Sequence, residues 1–208
     1  MQAVWHFLAS GGIFMGCIVV CSFVAVSAII GKFLELKDAA IMPANTVRLL
    51  TDIATGQSVD EKEVRAVLGD EKSPLGRIAR TSLLNAHPSG ERAMEAAQAV
   101  AREEMVELER GVPLLEAIIT AAPLLGLLGA VVGLTKVFSS VGADESDTAR
   151  VAAGIAEALN TTIAGLIVAI PCVFFHTHFS RRLERVAARL EVLVRGAIDA
   201  AYHETISR

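Results

Sequence analysis

The residues most able to do chemistry form a polar band inside a long apolar stretch of the chain. Glu157 is followed by Asn160, Thr161 and Thr162. Residues three and four apart share a helical face, so Asn160 and Thr161 lie on the Glu157 side, and Thr162 is turned further round. An isolated carboxylate is costly in apolar surroundings and needs a partner, a water path or a proton. Two interpretations stay open from the residues alone. The band lines an ion or water path, with Glu157 as vestibule charge or proton-sensitive gate, or it makes hydrogen bonds between helices of an oligomer.

Two apolar segments must position this band. They cover residues 112–138 and 151–179, and a short acidic loop, residues 139–150, joins them. Each is long enough to cross a bilayer as a helix, which takes roughly 20 apolar residues. Glycine, proline and threonine interrupt both segments, and such residues suit contact with another helix or with water better than contact with lipid. We therefore interpret the pair as a pore-lining hairpin, in which Gly129 and Gly133 have the spacing that allows close helix packing.

The composition supports a membrane protein with a polar part. The chain is 53% hydrophobic and has a mean hydropathy of +0.51, which is high for a soluble domain. Its net charge is −4, so its overall charge does not indicate nucleic-acid binding. Residues 1–31 contain no Asp, Glu, Lys or Arg. Without a basic n-region this is not a typical signal peptide, and we predict a retained transmembrane helix at residues 11–31 after a short N-terminal segment, residues 1–10. The spacing of the cysteines and histidines predicts no metal site.

The remaining regions are predicted to be helical and polar. Residues 32–111 form a helical loop whose last helix continues into the second span, bent rather than ended at Gly111 and Pro113. Residues 180–208 continue the third span as an amphipathic helix. The predicted fold is thus an all-α membrane protein with three transmembrane helices, two of them extended into long cytoplasmic helices. Because basic residues follow the first and third spans, the positive-inside rule predicts a periplasmic N-terminus, a periplasmic loop at 139–150 and a cytoplasmic C-terminus.

Two motifs in these segments resemble the MotA/TolQ/ExbB proton-channel family. Residues 122–133 read APLLGLLGAVVG and resemble the family's APxxGLxGTVxG second-helix signature. Residues 154–171 read GIAEALNTTIAGLIVAIP and resemble its GIAEALxxTxxGLxxAIP third helix. The order and separation of the motifs also agree over about 50 residues, and three spans with a large cytoplasmic loop look like ExbB or TolQ. The positions that match the signature and would shape the pore are Pro123, Gly126, Gly129, Gly133, Gly165 and Pro171.

The resemblance implies a function that the residues alone do not. Family members form a homopentamer around a dimer of a single-span ExbD/TolR-like partner, whose transmembrane aspartate carries protons. By motif position, Glu157 and Thr162 correspond to the family's third-helix glutamate and partner-facing threonine, and Thr161 would line the path beside it. A TonB/TolA-like protein is a further candidate partner. No cofactor is implied, since protons are the transported ion, and we predict an inner-membrane protein that is not an enzyme.

One departure from the family pattern concerns Ala130. A threonine usually follows the second glycine of the signature, so here the second helix lacks a hydroxyl in the ion path. Two consequences are open. Proton passage depends on Thr162, water and the partner's carboxylate, or the coupling differs and excludes sodium, which would need an oxygen ligand at this position.

Two other functions are alternatives to the proton-driven import or envelope role: a membrane scaffold without ion flux, and a motility stator subunit. The sequence leaves open whether TonB-type import, Tol-type envelope maintenance or motility is powered.

Overall fold

The computed structural model describes residues 12–57, 59–139 and 147–206, and in this part of the chain the only regular structure is helix. The predicted all-α fold is therefore confirmed. Residues 1–10 and most of the predicted loop 139–150 lie outside the described residues. The helices are α1 Gly12–Glu35, α2 Asp38–Ile41, α3 Ala44–Ala54, α4 Glu61–Leu68, α5 Pro74–Leu83, α6 Gly90–Glu109, α7 Val112–Ser139 and α8 Asp147–Ile206.

Three helical segments are long and apolar enough to cross a membrane. They are Gly12–Glu35, Gly90–Ser139 and Val151–Tyr202, with mean hydropathies of 2.7, 2.2 and 2.0 in their most apolar windows. The helix α8 is 60 residues long and contains Pro171, so the third span does continue into the C-terminal helix without a break. The predicted extension of two spans into long polar helices is confirmed.

The connection between α6 and α7 differs in one detail from the continuous helix that the sequence predicts. Helix α6 ends at Glu109, and α7 begins at Val112. Between them Gly111 has a φ of 91°, a left-handed conformation that glycine adopts without a steric cost from Cβ. Pro113 follows as the second residue of α7, where its missing N–H would have no helical acceptor. The helix is therefore interrupted for two residues rather than only bent.

The chain divides into two units. The apolar unit comprises residues 1–31 and 111–179, and the polar unit comprises residues 32–110 and 180–208. In the apolar unit, Met15 and Ile18 of α1 are buried with Ala164 of α8, and Leu125 and Val168 pack against this cluster. Large apolar side chains point outward elsewhere, with Phe174 71% exposed, as expected of helices that face lipid or another protein.

The polar unit has a conventional core between helices. Helix α5 packs against α6. Side chains that are almost fully buried line the core: Leu50, Leu68, Leu75, Ile78, Leu190 and Ile198. Ser73 and Ser89 cap α5 and α6, because each side chain accepts a hydrogen bond from a backbone N–H of the first turn.

Two cationic side chains bind the last turn of α1 and the residues directly after it within the polar unit. Lys32 is buried, and its Nζ donates to the carbonyl oxygen of Leu108 at 2.9 Å and to the carboxylate of Glu35 at 2.6 Å. Arg182 of α8 donates from Nε to the carbonyl oxygen of Leu36 at 2.7 Å and pairs with Asp38 at 3.1 Å. These bonds satisfy a carbonyl at the end of α6 and another directly after α1, which have no helical donor.

Candidate functional site

Helices α7 and α8 pack antiparallel through glycines. A Cβ atom built on Gly126 would lie 2.8 Å from the carbonyl oxygen of Thr161 and 3.0 Å from Cα of Thr162. A Cβ on Gly129 would lie 2.8 Å from Cγ2 of Thr161 and 3.2 Å from Cβ of Phe14 in α1. Real side chains do not approach this closely, so the two helices can meet here only because both positions are glycine.

The same register extends in both directions from this contact. On one side, a Cβ on Gly133 would lie 3.4 Å from Cβ of Ala158, which is ordinary contact. On the other side, a Cβ on Gly165 would clash with the carbonyl oxygen of Ala122 and lie 3.2 Å from Cα of Pro123. The contacts run along about three turns of α7, and of the two glycines whose spacing predicted close packing, Gly129 makes a tight contact and Gly133 an ordinary one.

Thr162 connects the two helices through its side chain. Its hydroxyl donates a hydrogen bond to the carbonyl oxygen of Gly126 at 3.3 Å, and the residue is half-buried. A hydroxyl has one proton to donate and two lone pairs that accept. The bond to Gly126 therefore leaves the oxygen of Thr162 able to accept a proton or a hydrogen bond from a group outside the pair.

Thr161 is placed differently from its neighbour. It is 2% exposed, and its methyl group lies against Gly129. Its hydroxyl donates back to the carbonyl oxygens of Ala158 at 3.1 Å and Glu157 at 3.4 Å, inside its own helix. A threonine bonded in this way is compatible with a helix in an apolar setting and fills the space left by a glycine.

Glu157 lines a cavity on the α1 side of the pair. The cavity has a volume of about 240 Å³. Its walls come from the start of α1 (Gly12, Ile13, Phe14), from α7 (Gly129, Val132, Gly133, Lys136, Val137) and from α8 (Gly154, Glu157, Ala158, Thr161). Lys136 is a cation on the same cavity that the sequence analysis did not assign to the site. It could have been noticed as the one basic residue between residues 112 and 139.

The predicted path residues thus divide between two sides of the α7–α8 pair. Thr162 is five residues after Glu157, which places the two side chains about 140° apart around the helix. Glu157 and Thr161 face the cavity with α1. We name the groove between the two helices on the other side of the pair the open groove. Helical spacing places there Pro123, Leu127 and Ala130 of α7 and Thr162, Leu166 and Ala169 of α8.

Two prolines stand inside the apolar helices, and both were predicted as pore-shaping positions. Pro123 is half-buried in α7 and Pro171 is exposed in α8. A proline within a helix removes one backbone donor, so the carbonyls of Ile119 and Ile167, four residues earlier, lose their regular helical bond.

Among the described residues, no group of three or more His, Cys, Asp or Glu side chains is placed to hold a metal ion.

These features together define a class of protein. Three apolar helical segments, two of them packed through glycines with threonines at the contact, define a multi-pass membrane protein with a polar helical unit. Residues 70–192 match the MotA/TolQ/ExbB proton channel family, which is more than half of the chain. The chain belongs to that family.

Individual relatives agree with this assignment. The chain is 34% identical over 164 residues to the putative biopolymer transport protein ExbB-like 1 of Synechocystis, covering 77% of this chain and 64% of that protein. It is 40% identical over 92 residues to the Tol-Pal system protein TolQ of Pseudomonas aeruginosa, covering 44% and 39%. It is 38% identical over 103 residues to the biopolymer transport protein ExbB of Xanthomonas campestris, covering 49% and 40%. The chain therefore spans between about two fifths and two thirds of the length of these relatives.

Proposed function

We propose that this chain is the channel subunit of a proton-driven motor in the bacterial inner membrane. Five copies surround a dimer of an ExbD/TolR-like partner, and proton flow through the complex does work in the cell envelope, in TonB-type import or Tol-type maintenance. The observation that carries this proposal is the hydroxyl of Thr162, which lies at the open groove with lone pairs available. Its position in the third-helix motif corresponds to the family's partner-facing threonine.

The open groove suits a partner helix better than it suits lipid. Ala130 and Ala169 there are small and buried, and half-buried Thr162 supplies one polar group beside the exposed leucines Leu127 and Leu166. Small residues let a further helix approach closely, and a hydroxyl in an apolar setting gains from a polar partner. A partner's transmembrane carboxylate beside Thr162 would be hydrogen-bonded when protonated and could pass its proton to water.

The topology follows from charge. We propose that the N-terminus and the loop between α7 and α8 are periplasmic and that the polar unit is cytoplasmic. Arginine and lysine are frequent next to the ends of the first and third spans that lead into residues 32–110 and 180–208. Glu157 would then lie towards the periplasm, where its cavity with Lys136 forms a charged vestibule.

The experiment that tests assembly is the mass of the purified complex in detergent, with and without the co-expressed ExbD/TolR-like partner. Five copies that retain two partner copies would support the proposal. A stable dimer or trimer that ignores the partner would contradict it. That outcome would leave a scaffold in which the glycine packing of α7 and α8 holds proteins together without ion flux.

A further inference from the structure

The polar unit has an apolar groove between α6 and the C-terminal part of α8, which we name the α6–α8 groove. Its volume is about 510 Å³, and most of its lining residues are apolar. Along α6 it reaches from Met94 to Glu109, which corresponds to about 22 Å of helix. Its walls combine small residues, Ala101 and Ala187, with the flexible side chains of Met94 and Met105. The groove therefore has the length and composition of a surface that receives a helix.

The two most exposed large apolar side chains of the polar unit lie on different surfaces. Val106 of α6 is 69% exposed and lines the α6–α8 groove. Val192 of α8 is 71% exposed and does not line it. With about 100° per residue, Val192 lies about 160° around α8 from Leu190 and Val194, which are groove residues. The groove and the side that carries Val192 are therefore on opposite sides of α8.

The side of α8 that carries Val192, which we name the outer face, is basic. Five exposed residues share it within about 80°: Arg181, Arg185, Ala188, Val192 and Arg195. Asp199 is the one acidic residue on the same side between residues 181 and 199. Arg181 and Arg185 have no carboxylate partner in the part of the chain that the structure describes. The outer face is thus a strip of arginines around a small apolar centre.

The rim of the α6–α8 groove carries the opposite charge. Glu109 of α6 and Glu191 of α8 line the groove, and Arg102 is its one basic lining residue. Glu91 and Glu95 lie on the same side of α6, within about 20° of Arg102. Two of these four carboxylates pair with exposed arginines of their own helix, and such pairs contribute little and exchange easily. Four carboxylates and one guanidinium give the rim a net negative charge.

A second copy of the chain is the occupant that fits this groove. In a ring of identical copies, each copy must present two different and complementary surfaces, because a contact that closes a ring joins unlike faces of neighbours. The α6–α8 groove and the outer face meet this requirement, since they lie on opposite sides of one helix and carry opposite charge. The groove is apolar with an acidic rim, and the outer face has an exposed valine with arginines on both sides of it.

We infer that the outer face of α8 in one copy docks in the α6–α8 groove of the next copy, an inference that rests on the proposed function. Ala188 and Val192 enter the apolar part of the groove, and Arg181 and Arg185 meet the carboxylates of its rim. Burial of the apolar surface supplies most of the stability of the contact. The exposed charges mainly fix which surfaces meet and in which orientation.

The test is photo-cross-linking in the complete complex of this chain and its ExbD/TolR-like partner. The photoreactive residue p-benzoylphenylalanine replaces Gln98, an exposed residue of the groove wall. We expect a product with the mass of two chains, which peptide mapping assigns to residues 181–199 of another copy. Val192→Asp should lower its yield by about tenfold, because a carboxylate is costly in an apolar groove. Ala66→Asp, at an exposed position of α4, is the matched control and should leave the yield unchanged.

The outcomes separate the two proposals. A chain that stays monomeric would overturn the proposed function and this inference with it. Five copies without a two-chain product, or with a product that maps to α6 of another copy, would overturn the inference alone. A product that maps to the ExbD/TolR-like partner would show that the partner occupies the groove, and would also overturn it. A two-chain product that is insensitive to Val192→Asp would exclude the outer face as the docking surface.

Discussion

The hydroxyl of Thr162 donates a hydrogen bond to the carbonyl oxygen of Gly126 on the neighbouring antiparallel helix, at 3.3 Å. That carbonyl also lies within an α-helix, so it uses its second lone pair for the threonine. The bond holds the side chain of Thr162 in one orientation at the open groove, while Thr161 is buried on the α1 side. The two adjacent threonines therefore have different surroundings, and we expect them to respond differently to substitution.

Replacing Gly126 by alanine should separate α7 from α8. The added Cβ would lie 2.8 Å from the carbonyl oxygen of Thr161, which is backbone and cannot move without shifting the helix. Overpacking of this kind costs about 1–3 kcal/mol. We expect a lower melting temperature of the detergent-solubilised protein and loss of the Thr162 hydrogen bond. Gly133→Ala is the matched control, because its Cβ would make ordinary 3.4 Å contact with Ala158. Equal melting temperatures for the two variants would contradict this packing.

The absence of a hydroxyl at Ala130 predicts ion selectivity. A dehydrated sodium ion requires several oxygen ligands, and the groove at this level offers the single hydroxyl of Thr162 and no second one from α7. We expect flux through the reconstituted complex to depend on pH and to be unchanged when sodium is replaced by potassium at constant ionic strength. A flux that stops without sodium would show that the site holds a metal cation and that the proton assignment is wrong.

The polar unit has an ion pair with one buried partner, and its loss should be measurable. Glu104 of α6 is 4% exposed and accepts a hydrogen bond from the guanidinium of Arg77 in α5. Glu104→Ala leaves Arg77 without this partner, although about half of the arginine side chain is exposed and can regain water. We expect the free energy of unfolding to fall by about 1–3 kcal/mol. Thermal or denaturant unfolding in detergent measures this change. Glu61→Ala, which removes an exposed pair with Arg65, should cost less than about 0.5 kcal/mol.

The spans could be predicted from the sequence because their signal is local. Predominantly apolar stretches at 12–31, 112–135 and 151–179 leave little choice of structure in a bilayer. Close helix packing at Gly129 and Gly133 was predicted from their spacing for the same reason, and Gly129 makes the tight contact while Gly133 makes an ordinary one. The interruption at Gly111 was less predictable, since glycine and proline allow both a bend and a break, and the backbone φ decides between them.

The division of the candidate site into two sides could not be read from the sequence. Helical spacing fixes the angle between Glu157 and Thr162, but only the position of α1 shows that Glu157 faces a cavity and Thr162 faces the open groove. The contact between the start of α1 and α7 joins residues more than a hundred positions apart, as with Phe14 and Gly129. Lys136 is visible in the sequence as the one basic residue between residues 112 and 139, but its place on the same cavity as Glu157 depends on the packing of α7 against α8.

The central claim is that Thr162 lies in a proton path that needs the partner, and proton flux in liposomes tests it most directly. Thr162→Val has nearly the same volume and no hydroxyl, so we predict that partner-dependent flux is abolished while the complex still assembles. Thr162→Ser should retain flux. Thr177→Val is the control, because the exposed hydroxyl of Thr177 donates only within its own helix, to Val173 at 2.9 Å. Undiminished flux in an assembled Thr162→Val complex would contradict the account.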